Sequence, residues 1–229
     1  MPVTAQSVVR RATDILQDQT SVRWTADELV RWLNDGQREI ALYRPDAVAT
    51  YGAVTLVAGS RQSLPASGFK LLDIPNNAAG TKAAIRQVDR RTLDELNPAW
   101  HSMTGTSTVV HYCYDQRDPR TFYVYPPSLG GNAVNAVYAA YPTDIAEPSP
   151  GSTYTSVTGN ISVPDIYAGA LLDYVLHRGY TKNSEYAGDP ARAVAHYTAF
   201  TNALGVEAKS TDAVAPTAGA PGKMAGGAV

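Results

Sequence analysis

The sequence predicts an α+β fold: a four-helix bundle formed by N- and C-terminal helix pairs, an inserted small antiparallel β domain, and an extended C-terminal tail. Apolar residues recur at helical spacing in residues 1–45 and 163–207, and at every second position in much of residues 46–162. Residues 208–229 are rich in Ala, Gly and Pro. Because none of the amphipathic helices can bury its apolar face alone, the two pairs pack most simply as one bundle.

The first helix begins at Thr4 or Ser7 and ends near Asp18. Its apolar face consists of Val8, Val9, Ala12, Ile15 and Leu16.

The second helix has the clearest start in the chain. Thr25 is the predicted N-cap, Glu28 closes a capping box, and Trp24 packs on Leu29 as a hydrophobic staple. The helix stops at about Arg44, because Pro45 disfavours helical geometry in the residue before it. Its apolar stripe consists of Leu29, Trp32, Leu33, Gly36 and Ile40.

The middle of the chain is predicted to be mostly strands. A hairpin spans residues 54–65 and turns at 58–60, and a short helix covers residues 92–96. Further strands lie at about 109–114, 121–125 and 134–141. The turn at 115–119 joins the first two of these, and Pro126–Pro127 ends the second.

Helical spacing returns after Ser162. The third main helix starts around Pro164, and its predicted buried face consists of Ile166, Ala170, Leu171, Tyr174 and Val175. The last helix starts at Asp189–Pro190, and its predicted buried face consists of Ala193, Val194, Tyr197, Phe200 and Leu204.

The tail cannot offset the entropy of its own ordering, so we expect it to be held by a partner chain. Its large apolar side chains are few. The candidate partner-binding residues are Lys209, Val214, Pro216, Pro221, Lys223, Met224 and Val229.

Composition and motifs favour a protein that is not an enzyme. A net charge of −2 gives no basic footprint for nucleic acid, and no segment is long and apolar enough to cross a membrane. The four histidines have no metal-ligand spacing, and the phosphate-loop, dinucleotide and nucleophile-elbow motifs do not occur. We therefore expect no metal and no cofactor. The single cysteine, Cys113, is predicted to be a half-buried strand residue.

Two features leave an alternative open. Asp115 and Asp118 resemble a carboxylate pair, but their setting favours a tight turn. Tyrosine is enriched, with 14 residues against three Phe, in residues 112–141 and 167–197. Tyrosines of this kind form a core or an assembly interface. The alternative is a tail-associated glycan-binding or glycan-hydrolysing module with the β segment and its tyrosines as the platform, and Glu95 with Trp100 is too little to support it.

Several runs of residues resemble tailed-bacteriophage adaptor proteins, the head-to-tail connectors that bind the portal. The resemblance covers roughly 180 residues in order and spacing, and none of the matching runs is a catalytic motif. They are WTADELVRWLNDGQREI at 24–40, RPD at 44–46, GSRQSLP at 59–65, DPRTFYVYPP at 118–127, PDIY at 164–167, LHRGY at 176–180 and KNSEYA at 182–187.

This resemblance implies a structural virion protein at the head-to-tail interface, made in the host cytoplasm. It implies a homo-oligomeric ring of twelve copies between the portal protein and the tail nozzle protein. It also implies that packaged DNA passes through the lumen without sequence-specific binding and that the C-terminal tail extends against the portal.

Overall fold

The computed structural model describes residues 2–182 and 189–214. These residues form a mixed α+β fold with five α-helices and two small sheets. The helices are α1 (Ala5–Leu16), α2 (Ala26–Tyr43), α3 (Arg90–Leu96), α4 (Ala168–Lys182) and α5 (Asp189–Val214). The strands are β1 (Ala49–Thr55), β2 (Gly59–Ser63), β3 (Gly68–Asn77), β4 (Arg86–Gln87), β5 (His111–Tyr114), β6 (Thr121–Ser128) and β7 (Ala133–Ala140).

Helix α4 is central among the helices and contacts α1, α2 and α5. Gly36 lets α2 approach α4 closely, because a Cβ atom there would lie 3.0 Å from the Tyr174 ring and 3.1 Å from Leu171. The α4–α5 contact includes a hydrogen bond between His196 Nδ1 and Asp173 Oδ1 at 2.8 Å. These four helices share one apolar core, and their arrangement as a four-helix bundle stays a prediction.

The observed starts of the first two helices agree with the prediction from the sequence, but the predicted capping box of α2 is wrong. Thr4 caps α1 and accepts a hydrogen bond from the Ser7 amide at 3.2 Å. Thr25 precedes α2 without a side-chain cap bond. Glu28 is paired with the ammonium of Lys182 on α4, which offers a carboxylate a stronger partner than a neutral amide.

The predicted burial of two residues in the C-terminal half is wrong. Ile166 is 73% exposed, because it lies in a 3₁₀ turn (Asp165–Tyr167) whose period differs from that of the α-helix that follows. Val194 is 65% exposed, whereas the neighbouring Ala193 is buried.

Helix α5 is longer than the sequence predicts and continues to Val214, seven residues into the predicted tail. The added segment contains Ala and Lys, which favour helix. Residues 215–229, the rest of the predicted tail, lie outside the described residues.

The predicted hairpin of residues 54–65 is wrong, because its two strands belong to different sheets. One sheet has the order β1-β7-β3 and the other β2-β6-β5-β4. Gln62 closes the loop between β1 and β2: its side chain accepts a hydrogen bond from the Val57 amide at 2.8 Å and donates to the carbonyls of Val57 and Gly59. The two strands then separate and pair with β7 and β6.

Two further strand features differ from the prediction. Strands β4 and β5 are parallel, so the β region is not wholly antiparallel. Strand β6 continues past Pro126 and Pro127 to Ser128. Its pairing with β5 ends at Tyr125, and a register shift in β2 skips residues 124–127, so the ladder requires no N–H group from either proline.

The apolar side chains form separate clusters. The two sheets enclose one cluster, and the helices enclose another. Ile145, Val157 and Ile161, which follow the last strand, pack into the helical cluster. The predicted division of the chain into residues 1–45 with 163–207, 46–162 and 208–229 stays a prediction.

Candidate interaction surfaces

The helices and the segment after β7 are joined by buried amide side chains of α2. Asn34 donates to the Ile145 carbonyl at 3.0 Å and accepts from the Ile145 amide at 2.9 Å. One turn later, Gln37 Oε1 accepts from the Ser162 amide at 2.6 Å and from its hydroxyl at 2.8 Å. Both amide side chains are buried, so these bonds fix the segment against α2.

A groove of about 530 Å³ lies beside this junction, and we call it the α2 groove. Positively and negatively charged side chains alternate along its lining. Arg31 pairs with Asp27 at 2.7 Å, and Arg38 pairs with Asp35 at 2.9 Å and with Asp144 at 2.6 Å. Ion pairs between half-exposed side chains such as these contribute little to stability.

A second cleft, of about 640 Å³, lies between α3 and the β5–β6 turn, and we call it the α3 cleft. Asp115 and Arg117 form part of its rim and are joined by a double hydrogen bond. These bonds from the Arg117 side chain, with a bond from the Arg117 amide, lower the pKa of Asp115 to about 2. Arg90 and Arg91 complete a polar rim.

The Asp115–Asp118 segment is the tight turn that the sequence favours. The Asp115 carboxylate accepts from the Arg117 amide at 3.0 Å, and the Asp118 amide donates to the Asp115 carbonyl at 3.0 Å. Asp115 therefore stabilises its own turn, and its carboxylate is hydrogen-bonded to Arg117.

Four of the enriched tyrosines lie in the interior. Tyr112, Tyr167, Tyr174 and Tyr180 are buried. Tyr112 donates to Asp73 Oδ1 at 3.1 Å, and burial together with this carboxylate raises the pKa of its phenol. These four rings are unavailable for stacking on sugars, which weakens the glycan-platform alternative.

The aromatic residues near α3 are also packed inward. Trp100 is fully buried, and its indole N–H donates to Asp94 at 2.8 Å rather than to Glu95. Its ring stacks on His101, whose Nδ1 lies 2.8 Å from the Ser60 hydroxyl. This hydrogen bond attaches the turn at Trp100–Ser102 to β2.

Cys113 is buried, more completely than the half-buried setting expected from the sequence. Burial raises the pKa of its thiol to about 11. A thiol with a raised pKa has little thiolate at neutral pH and is therefore inert.

The predicted partner-binding residues of the tail fall into two groups. Lys209 and Val214 lie in the last turns of α5. Pro216, Pro221, Lys223, Met224 and Val229 lie outside the described residues. Partner binding by these seven residues stays a prediction.

Residues 2–182 and 189–214 contain no group of three His, Cys, Asp or Glu side chains able to hold a metal ion. The same residues contain no helix with the length and apolar content needed to span a bilayer.

The α2 groove and the α3 cleft were missed by the sequence reasoning. The junction beside the groove joins Asn34 to Ile145, which is 111 residues away, and the sequence contains no local signal for such a contact. For the cleft, the adjacent arginines Arg90 and Arg91 were visible, but their proximity to the turn at Asp115 depends on the parallel pairing of β4 with β5.

Comparison with known proteins supplies the family. None of the curated proteins matches this chain. The family model described as SU10 adaptor protein matches residues 3–222, which is nearly the whole chain and confirms the resemblance to phage head-to-tail adaptors. The chain therefore belongs to the SU10 adaptor protein family, whose members are structural proteins of the phage virion at its head-to-tail region.

Proposed function

We propose that the protein is the subunit of a ring of twelve copies that joins the portal protein to the tail nozzle protein and continues the DNA channel. The observation that carries this proposal is the family match over residues 3–222, which includes all the described helices, both sheets and part of the tail. An adaptor acts by connecting neighbours, so its surfaces and its rigidity determine its function.

The junction of α2 with the segment after β7 supports a connecting role. Asn34 and Gln37 hold that segment at two points one turn apart, and Arg38 adds an ion pair to Asp144. A subunit that touches one partner with its helices and another with its sheets has to keep the two parts in a fixed orientation. Buried, fully paired amide side chains provide such a connection.

We assign the helices to the portal and to neighbouring subunits, and the β loops to the tail nozzle. Helix α5 has 26 residues and is about 39 Å long, and its backbone continues ten residues past the buried Leu204. The 15 residues that follow Val214 could span up to about 50 Å when extended. Together they give the C-terminus enough reach to leave its own subunit and lie in a groove of the portal.

The weak charge of the chain supports passage of DNA without sequence-specific binding. Tight DNA binding requires many Lys or Arg contacts to phosphates, and the net charge here is −2. A lumen built from such subunits would let the duplex slide.

The test is docking to DNA-filled capsids that carry the portal and lack the tail. The full chain should bind them and retain the packaged DNA, whereas a chain truncated after Val214 should bind weakly, because a contact repeated around a ring multiplies into strong retention. A matched control replaces residues 215–229 by a Gly/Ser segment of equal length.

Both variants should melt at the same temperature as the full chain, since the replaced segment contributes little to a core. Failure of the full chain to bind portal-bearing capsids would overturn the proposed function. Equal docking by all three proteins would overturn only the role of the tail.

A further inference from the structure

Three of the four sheet edges in the described part of the chain are covered or interrupted. On β3, the Leu71 amide donates to the Pro119 carbonyl, the Pro75 carbonyl accepts from the Ile85 amide, and the register shifts three times. Strand β4 has two residues, one of them Arg86. Strand β2 has a register shift and is fastened to a neighbouring turn through Ser60. Such features prevent pairing with other chains.

The edge formed by β1 has none of these protections. Its seven residues pair with β7 in an unbroken register, and they contain no proline and no charged residue. Residues 47–60 as a whole carry no charge. Tyr51, in the middle of the strand, is 63% exposed.

The alternation of the ladder determines which backbone groups lie on the free side. The Leu56 amide donates to the Asn132 carbonyl at 2.8 Å, so even-numbered residues of β1 direct their N–H and C=O groups to β7. Tyr51, Ala53 and Thr55 therefore direct theirs outward. No backbone hydrogen bond from another described segment reaches these three residues.

We propose that β1 is an association edge, on which a second copy of this chain pairs its own β1 in antiparallel orientation about a two-fold axis at Gly52. In this register Tyr51 lies opposite Ala53 of the second copy, and Ala49 lies opposite Thr55. Outward-directed residues thus meet outward-directed residues. The strand is complementary to itself in its hydrogen bonds.

The side chains and the charge of β1 also favour a second copy of this chain as the partner. The large Tyr51 ring faces a small Ala side chain, and Gly52 at the axis adds no bulk. Because β1 is uncharged, the pairing brings no like charges together, which is the electrostatic condition for self-association. A single strand edge is smaller than the roughly 1,200 Å² that stable interfaces bury, so the contact should be weak and reversible.

This contact is distinct from the proposed ring. A two-fold contact joins the same patch on both subunits, whereas a cyclic ring of more than two copies uses head-to-tail contacts between different patches. The pairing therefore requires no ring, and it does not rest on the proposed function.

The first test is sedimentation of the isolated full chain from about 1 to about 100 μM, a range suited to weak association. We expect a concentration-dependent monomer–dimer equilibrium. Ala53→Pro removes one outward N–H group and leaves the ladder to β7 intact, and it should raise the dissociation constant at least about tenfold. Tyr51→Lys should act similarly, and Leu129→Lys, at an equally exposed site away from the edge, should have no effect.

The second test fixes the register. In the proposed pairing the two Gly52 residues form a pair without mutual hydrogen bonds, with Cα atoms about 4.5 Å apart, which is within disulfide range. A Cβ atom at Gly52 has nothing within 4 Å. Gly52→Cys should therefore form a disulfide-linked dimer under mild oxidation.

Thr50→Cys is the control, because two copies of residue 50 would be about 13 Å apart along the strands. The buried Cys113 should not take part. A protein that stays monomeric over the whole concentration range overturns the proposal. So does a dimer that Ala53→Pro and Tyr51→Lys leave intact, or one in which both cysteine variants cross-link equally.

Discussion

Asn34 makes the most consequential contact between the helices and the segment after β7, and Asn34→Leu tests it. Leucine has a similar size, so the change removes the hydrogen bonds without leaving a large cavity. The Ile145 amide and carbonyl then lose their partners in a buried site.

The expected loss follows from these two groups. Each buried backbone group left without a partner costs about 1–3 kcal/mol, so the variant should lose about 2–4 kcal/mol of its free energy of unfolding after partial relaxation. For a chain of 229 residues this corresponds to a fall of roughly 5–15 °C in melting temperature.

Thermal and urea unfolding followed by circular dichroism would measure the change. Asn202→Leu, on the exposed side of α5, is the matched control and should stay within about 0.5 kcal/mol of the wild type. Limited proteolysis should also cut the Asn34→Leu variant faster within residues 141–163. If Asn34→Leu is as stable as Asn202→Leu, the junction does not hold the two parts together.

Two further predictions concern the loop between α1 and α2. Trp24→Ala removes a buried ring and the indole hydrogen bond to the Gly179 carbonyl. The variant should therefore lose about 3–5 kcal/mol of its free energy of unfolding. An unchanged melting temperature would show that Trp24 does not support the helical core. Burial favours a higher pKa for Asp18, but hydrogen bonds from the Trp24, Val22 and Arg23 amides outweigh it and hold that pKa below its usual 3.8. The carboxylate therefore stabilises the fold above that value, and the stability advantage of the wild type over Asp18→Asn should be full at pH 7 and should shrink as the pH falls below about 3.8. An advantage that stays constant down to pH 2 would contradict this account of Asp18.

The elements that the sequence predicted well are those specified by local chemistry. The start of α1 depends on the Thr4 cap three residues from its partner, and the turn at Asp115 depends on contacts within four residues. Helix α2 ends where Pro45 requires it to end. In each of these cases cause and effect lie within one or two turns of the chain.

Pairings between distant segments were the part that the sequence could not specify. Residues 54–65 look like a hairpin, yet β1 pairs with β7, some 80 residues away in the chain. The contact between Asn34 and Ile145 is equally non-local. An alternating pattern shows that a strand exists and which face is buried, but it does not identify the neighbouring strand.

The exposure of Val194 has a related cause. Helical spacing predicts an apolar stripe, but the width of the buried stripe depends on how closely the neighbouring helix approaches. The contact between α4 and α5 buries Ala193 and Phe200 and leaves Val194 in solvent.

The proposed function requires the protein to form a closed ring on the portal. Native mass spectrometry of the full chain, alone and mixed with purified portal, tests it most directly. We expect monomers and weak dimers of the protein alone, and a portal complex that carries twelve added copies. A stable closed ring without portal, or a mixture in which the portal gains no copies, would contradict it.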